Sequence, residues 1–295
     1  MKSKPEAADP LDFPCAFRYN LFPAAGAQKN LLPPQEVLMI ANYHTHTYRC
    51  GHAEGNEAEY AAHAAAAGLG LLGFSDHTPQ DYFDDVPHDR PVRMKPGELP
   101  GYADSVRRLA EEYRGRMEIR LGIEAEYYPK YFSRLLAMLR DSGVEYMILG
   151  QHFLGNEIGD VYSGRRTEDP AVLRRYVSQV GEALDTGLFT YIAHPDLIHF
   201  TGDEAVYAAE MRRLCRAANT SATPLELNLL GIREERHYPN QTFWRIAAEE
   251  GCTVILGCDA HRPEEVQDPA GEQKALQMVS RFGLKLIETV SLRRI

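Results

Sequence analysis

The sequence predicts an α/β fold of seven successive strand and helix units, which fits a (β/α)7 barrel better than an open sheet. Three observations predict it. Short apolar runs alternate with segments of helical composition from residue 39 onward. The runs are nearly continuous in apolar residues, as in parallel strands that are covered on both faces. Six of the 11 histidines end or directly follow a run, namely His44, His46, His77, His152, His194 and His261.

The predicted elements follow one another in a regular order. The seven strands are predicted at 39–46, 69–77, 118–126, 145–152, 188–194, 224–231 and 253–261. The helices are predicted at 57–67, 98–114, 130–141, 170–186, 203–219, 241–250 and 273–282. Because parallel barrels carry their active sites at the carboxyl ends of the strands, the six histidines are expected to share one site.

Residues 1–38 precede the first strand and differ from the rest of the chain. They lack apolar periodicity and contain six prolines, Pro5, Pro10, Pro14, Pro23, Pro33 and Pro34. We expect a surface-bound or partly disordered extension at 1–38 and one catalytic barrel domain at 39–295.

Composition and charge exclude several classes of function. The net charge of −10 argues against a nucleic-acid or membrane-surface binder, which would carry a basic face. Bound metals can reverse the local charge, so a small anionic substrate is still compatible with this balance. The five cysteines show no CxxC spacing and are predicted to be reduced thiols. With no apolar run of signal-peptide or transmembrane length, we expect a cytoplasmic protein.

The residues at the strand ends are typical metal ligands. His44 and His46 are two residues apart, so on a strand their side chains point to the same face and can bind one metal. Glu124 and Asp259 add carboxylates at equivalent strand ends. Imidazole and carboxylate ligands suit Zn, Mn or Fe, and such a centre lowers the pKa of bound water and neutralises phosphoryl oxygens. The pattern predicts hydrolysis of a phosphoester.

The order of the motifs resembles that of a known family. HTHTYRCGHAEG, GFSDH, GIEAE, QHF, AHPDL and CDAHRP, spread over 42–263, are similar to the PHP (polymerase and histidinol phosphatase) family, and best to its histidinol-phosphatase branch. The resemblance implies a distorted (β/α)7 barrel with three divalent metal ions. It implies one metal on His44, His46, Glu124 and Asp259, a second on Glu124, His152 and His194, and a third on His52, His77 and His261.

Further roles are predicted around these ligands. Three of them, Glu124, Asp259 and His194, are predicted to be catalytic. The role of Glu126 is left open: it could contact a metal, support a ligand or pair with an arginine. Arginine suits a phosphate because of its planar fork. The predicted substrate-binding residues, led by Arg233 in NLLGIRE, are Arg233, Arg165, Arg166, Arg262, His199 and His237.

The predicted activity is hydrolysis of L-histidinol phosphate to L-histidinol and phosphate in histidine biosynthesis, an inference that rests on the resemblance. The expected partners are a small phosphorylated substrate and inorganic phosphate, with neither nucleic acid nor membrane. One alternative is a PHP phosphoesterase for another small phosphomonoester or a nucleotide. Another is a noncatalytic PHP module, which the complete set of ligand residues disfavours. Oligomeric state and metal identity are left open.

Overall fold

The computed structural model describes residues 39–83, 92–155 and 160–295. The predicted extension at 1–38 lies outside the described residues. The strands are β1 Ala41–Asn42, β2 Leu71–Phe74, β3 Glu118–Ala125, β4 Tyr146–Leu149, β5 Phe189–Ile192, β6 Leu225–Asn228, β7 Thr253–Gly257 and β8 Lys285–Ile287. The helices are α1 Glu57–Ala67, α2 Leu99–Glu112, α3 Phe132–Asp141, α4 Pro170–Asp185, α5 Glu204–Thr220, α6 Leu229–Arg233, α7 Gln241–Glu249 and α8 Pro269–Phe282.

Each predicted strand and helix overlaps an observed one, although α8 begins four residues earlier, at Pro269, and α5 ends one residue later, at Thr220. The prediction and the structure differ at two further places. The segment 224–231 is predicted to be a strand to its end, but residues 229–231 belong to α6. The cause is Asn228, whose side chain accepts a hydrogen bond from the N–H of Gly231 at 2.9 Å and caps the helix. The second difference is β8, which the sequence pattern does not predict.

The strands form a parallel sheet in the order β1 to β8, and the predicted α/β barrel-type fold is confirmed. The amino-terminal half of β7 pairs with β8, from Thr253 opposite Lys285 to Ile255 opposite Ile287. Beyond the end of β7, Ala260 instead forms a parallel bridge with Thr45, which follows β1. Seven strands therefore meet around the carboxyl end of the sheet, while β8 diverges at the opposite end.

Helix boundaries follow from local signals in the sequence. The side chain of Asn56 accepts hydrogen bonds from the N–H groups of Ala58 and Glu59, and the carboxylate of Glu59 accepts one from the N–H of Asn56, which completes a capping box at α1. Proline occupies the first position of α4 and α8, where no backbone N–H is needed. No helix in the described parts of the chain is long and apolar enough to cross a membrane.

The interior of the sheet is divided into two zones. Its amino-terminal part is filled by a small apolar cluster that includes Tyr43, Tyr146 and Tyr191. The hydroxyl of Tyr146 donates to the carbonyl oxygen of Tyr43 at 2.9 Å. A Cβ atom on Gly73 or Gly122 would lie 2.2 Å from Tyr146, so these glycines make room for its ring. The carboxyl-terminal part holds polar side chains instead, and these form the site described next.

Candidate metal centre

Four side chains from three separate strand ends converge at the carboxyl end of the sheet. His44 and His46 follow β1, Glu124 lies in β3 and Asp259 follows β7, and all four are buried. The Nε2 atoms of the two histidines are 3.1 Å apart. The Oε2 of Glu124 lies 3.4 Å from His44 and 3.3 Å from His46, and the Oδ1 of Asp259 lies 3.4 and 3.2 Å from them. Four ligand atoms thus surround one point.

These separations match the geometry of a bound divalent metal. A tetrahedral zinc ion with bonds of about 2.0–2.1 Å keeps its ligand atoms about 3.3–3.4 Å apart. The five separations given above, from His44 Nε2–His46 Nε2 to His46 Nε2–Asp259 Oδ1, span 3.1–3.4 Å. The residues predicted for the first metal therefore fit such an ion.

Glu124 divides its two oxygens between different groups of histidines. Its Oε2 faces His44 and His46, whereas its Oε1 lies 2.9 Å from the Nε2 of His194 and 3.5 Å from the Nε2 of His152. A carboxylate in this position can bridge two metals that lie side by side. The residues predicted for the second metal are thus brought together around the shared Glu124.

The residues predicted for the third metal are neighbours, but their closest contacts differ from the expectation. The Nε2 atoms of His52 and His261 are 2.9 Å apart. The ring of His77 lies 5.4 Å from that of His52, while its Nδ1 is 3.2 Å from Glu124. Cys50 is also here, because its sulfur groups with ligand atoms of His46 and His261 within 4.8 Å. A thiol is not among the predicted ligands.

Buried charge in this cluster favours a cation. Burial lowers the pKa of His44, but Asp259, Glu226 and Glu124 outweigh burial and raise that pKa to about 10. Burial alone would raise the pKa values of Glu124 and Asp259, yet the neighbouring histidines hold both well below the ordinary range. Burial keeps the pKa of His77 well below its usual value, which leaves a neutral imidazole able to bind a metal. The ionised carboxylates of Glu124 and Asp259 are therefore buried, and positive charge from protonated histidines or from metal ions must balance them.

Two of the predicted ligands have an unusual backbone conformation. His194, two residues after the end of β5, has φ of 29°, and Asp259, two residues after the end of β7, has φ of 46°. Non-glycine residues rarely adopt positive φ, and such strain often occurs at functional sites. The N–H of His194 donates to the Oε2 of Glu226 at 2.9 Å, which helps to hold this conformation.

Sequence reasoning missed Glu226 and Asn228, which support the cluster from β6. The Oε1 of Glu226 lies 2.8 Å from the Nδ1 of His44, and its Oε2 accepts from Asn228 Nδ2 at 2.9 Å. The same amide lies 3.1 Å from Asp259 Oδ2. A carboxylate on the far nitrogen of a ligating histidine fixes its tautomer and orientation. The available signal was the alternation LELN, which places a charged and a polar residue on one face of an apolar strand.

Glu126 supports a predicted ligand and also pairs with an arginine. Its Oε1 lies 3.0 Å from the Nδ1 of His152 and accepts a hydrogen bond from Arg93. All three side chains are buried or half-buried. Burial raises the pKa of Glu126, but Arg93 and His152 outweigh it and lower that pKa below its ordinary value. Glu126 thus acts on the second group of ligands through His152.

The predicted substrate-binding residues lie in several different surroundings. Arg165 is exposed, and Arg166 is exposed and contacts Thr201 and Glu168. Arg262 is exposed, with its Nε 3.6 Å from Glu54. Arg233 is half-buried, and its guanidinium donates to Glu265 and Asp268. The rings of His199 and His237 stack on each other, with centroids 4.1 Å apart.

Known proteins resemble this chain in sequence over most of its length. The PHP domain family matches residues 42–229. A Deinococcus radiodurans protein named probable histidinol-phosphatase is 34% identical over 239 residues, which cover 77% of this chain and 88% of the relative. The histidinol-phosphatase of Bacillus subtilis is 23% identical over 251 residues, or 76% of this chain and 94% of the relative.

A solved structure shares the fold. The histidinol phosphate phosphatase of Lactococcus lactis, crystallised with zinc, L-histidinol and phosphate, superimposes with a TM-score of 0.66 at 18% identity. The match covers 86% of this chain and 99% of the other. At 18% sequence identity, this match shows that the two proteins share a fold.

Proposed function

The chain belongs to the PHP domain family, and we propose that it is a metal-dependent phosphatase that hydrolyses L-histidinol phosphate to L-histidinol and phosphate. The observation that carries this proposal is the position of Glu124, whose two oxygens face two separate groups of histidines. The substrate assignment draws on the relatives that are named for this activity and that align over most of their length.

The metal ligands are proposed as three sets. His44, His46, Glu124 and Asp259 would hold one ion; Glu124, His152 and His194 a second; His52, His77 and His261 a third. When bound, divalent ions lower the pKa of water and neutralise charge on phosphoryl oxygens. Zinc suits the tetrahedral spacing of the first set, and Mn or Fe accept the same ligands. Elemental analysis of the purified protein would give the number and the identity of the bound ions.

The protein's own residues orient this centre. Glu124, Asp259 and His194 are the proposed catalytic residues, since all three are buried within the cluster of proposed metal ligands. Glu226 holds His44 through Nδ1 and His194 through its backbone N–H. Because the cluster is buried among strand ends, its side chains are held in place before substrate binds, which favours electrostatic stabilisation of the transition state.

Substrate contacts are proposed at the surface around the cluster. Arg165, Arg166 and Arg262 supply cationic candidates for the phosphoryl oxygens, whereas the guanidinium of Arg233 is already paired with Glu265 and Asp268. His199 and His237 form a stacked pair, and burial lowers the pKa of both, that of His237 to about 4. Two neutral imidazoles offer a flat face and hydrogen-bonding nitrogens to the organic part of a substrate.

A substrate panel tests the proposal. Full-length protein is stripped with a chelator, reconstituted separately with Zn, Mn or Fe, and assayed on L-histidinol phosphate, other small phosphomonoesters and nucleotides. We expect the largest kcat/KM on L-histidinol phosphate and no turnover after stripping. A higher kcat/KM on another phosphomonoester would assign that substrate instead. Metal binding without turnover of any ester would indicate a noncatalytic module.

The compartment is proposed to be the cytoplasm, where histidine biosynthesis would provide the substrate. The four described cysteines, Cys50, Cys215, Cys252 and Cys258, are buried free thiols, as this reducing environment maintains. Fractionation of cells that express the tagged chain would test the assignment.

A further inference from the structure

Arg233 is the first of two arginines that closely follow β6, and both terminal nitrogens of its guanidinium are engaged by the protein. Its Nη1 lies 3.2 Å from Asp268 Oδ2, and its Nη2 lies 3.2 Å from Glu265 Oε2. Both carboxylates are largely buried, at 13% and 16% exposure. The same nitrogens lie 3.5 Å from the carbonyl oxygens of Cys258 and Asp259. Arg233 therefore braces the chain segment that carries the Asp259 ligand, and its charge is already neutralised.

Arg236, three residues later, is held more loosely. Its Nη1 donates to the hydroxyl of Tyr238 at 3.0 Å, while its Nη2 pairs with Glu234 at 2.6 Å. The arginine side chain is 39% exposed and that of Glu234 is 49% exposed. An exposed ion pair of this kind is weak, so a phosphoryl dianion can displace the Glu234 carboxylate. Glu234 occupies the Nε and Nη2 edge of the guanidinium, which is an edge that offers two parallel N–H groups.

Tyr238 connects Arg236 to the candidate metal centre. The tyrosine is buried, and its ring centroid lies 6.0 Å from that of His194. Burial lowers the pKa of Arg236, but Tyr238, Glu234 and Asp259 outweigh it and raise that pKa above its ordinary value. The charge of Asp259 thus reaches the guanidinium. Arg236 is therefore a permanent cation at the His194 side of the metal centre.

We infer that Arg236 binds a phosphoryl oxygen of the substrate at the edge of the metal centre, oriented by the Tyr238 hydroxyl, while Arg233 braces Asp259. This inference rests on the proposed phosphatase function. A guanidinium suits the role because two parallel N–H groups can engage two phosphoryl oxygens. The hydrogen bond to Tyr238 holds the Nη1 of Arg236 in place, while phosphate can replace Glu234 at the other edge of the guanidinium.

The test compares single variants of the full-length, metal-loaded protein. For Arg236→Ala, we expect KM for L-histidinol phosphate and the inhibition constant of inorganic phosphate each to rise about 10- to 100-fold, as for loss of a charged hydrogen bond. Metal content and Tm should stay near wild type. Added guanidinium ion should restore part of the activity, and Arg236→Lys should retain part of it. Arg212→Ala is the matched control, since Arg212, on α5, is similarly exposed and pairs with Glu249 and Glu250 at the end of α7.

Different outcomes separate the inference from the proposed function. If Arg236→Ala keeps wild-type KM and wild-type phosphate inhibition in an enzyme that hydrolyses L-histidinol phosphate, the inference is wrong and the function stands. The inference is equally wrong if only Arg233→Ala weakens phosphate inhibition. If wild-type protein does not hydrolyse L-histidinol phosphate, the function is wrong. In that case calorimetric titration of inorganic phosphate into metal-loaded wild type and Arg236→Ala still decides whether Arg236 binds phosphate.

Discussion

The Oε1 of Glu226 lies 2.8 Å from the Nδ1 of His44, and both side chains are fully buried. The residues are 182 positions apart, on β6 and after β1. Their contact leaves the Nε2 of His44 directed at Glu124 and Asp259. It therefore links β6 to the segment after β1, which lie on either side of β7, at the candidate metal centre.

Glu226→Gln should weaken metal binding while the fold is retained. The amide removes the negative charge that orients His44 and makes it more basic, and loss of such a partner typically reduces metal affinity or activity about 10- to 100-fold. Competitive titration with a fluorescent zinc chelator measures the affinity. Glu272→Gln is the control, because Glu272 is a buried carboxyl on α8, outside the cluster. Equal affinities in both variants would contradict the proposed role of Glu226.

Glu124→Gln and Glu126→Gln should differ in severity. Glu124 offers an oxygen to each of two groups of histidines, so Glu124→Gln should lose bound metal and fall to background activity. Glu126 contacts the centre only through His152, so Glu126→Gln should lose about 10- to 100-fold in activity. Elemental analysis and steady-state assays on purified proteins measure both effects. Normal turnover by Glu124→Gln would disprove the proposed centre.

Gly150→Ala should damage the metal centre without changing any ligand. A Cβ atom at Gly150, directly after β4, would lie 1.9 Å from the Oε1 of Glu124, so the carboxylate must move. We expect reduced metal content and reduced kcat. In Gly181→Ala, on α4, the added Cβ meets nothing within 4 Å. That control should keep its activity and gain about 1 kcal/mol in unfolding free energy. Unimpaired metal binding by Gly150→Ala would show that Glu124 is placed differently.

The stability of Glu272→Gln relative to wild type should increase with pH. Burial and the charge of Asp268 raise the pKa of Glu272 to about 7, above the ordinary 4.5. Between these values the folded state binds more protons than the unfolded state, so this group lowers the unfolding free energy as pH rises. The change is on the order of 3 kcal/mol, and it is complete above pH 7.

Urea unfolding of both proteins at pH 4.5, 6 and 8 measures this difference. The unfolding free energy of Glu272→Gln minus that of wild type should rise across the series and then level off. The exposed Glu182, on α4, supplies the control Glu182→Gln, which should show a constant difference. A constant difference for Glu272→Gln as well would mean that its carboxyl is hydrated in the folded protein.

Local patterns predicted the strands and helices except α6 and β8, and they also predicted the end of the sheet at which the site lies. Apolar runs and capping residues such as Asn56 are encoded by neighbouring residues, so α1 is predicted at its observed bounds, 57–67. The alternation of strands with helices predicts parallel pairing, and parallel pairing brings all carboxyl ends to one face. For that reason His44, His46 and Glu124 can be assigned to one site from the order of the residues alone.

Contacts between distant residues were decided only by the tertiary structure. Sequence spacing carries no information on which carboxylate reaches the Nδ1 of His44. Glu226 reaches it because β6 and the segment after β1 lie on either side of β7. Likewise, Arg233 and Arg236 both follow β6, but only the folded chain shows their partners. Arg233 pairs with the largely buried carboxylates of Glu265 and Asp268, whereas Arg236 forms an exposed ion pair with Glu234 that an anion can replace. The sequence by itself determined the ligand types and the fold class, because both depend on local pattern. The partners of each ligand depend on three-dimensional packing, which only the folded chain defines.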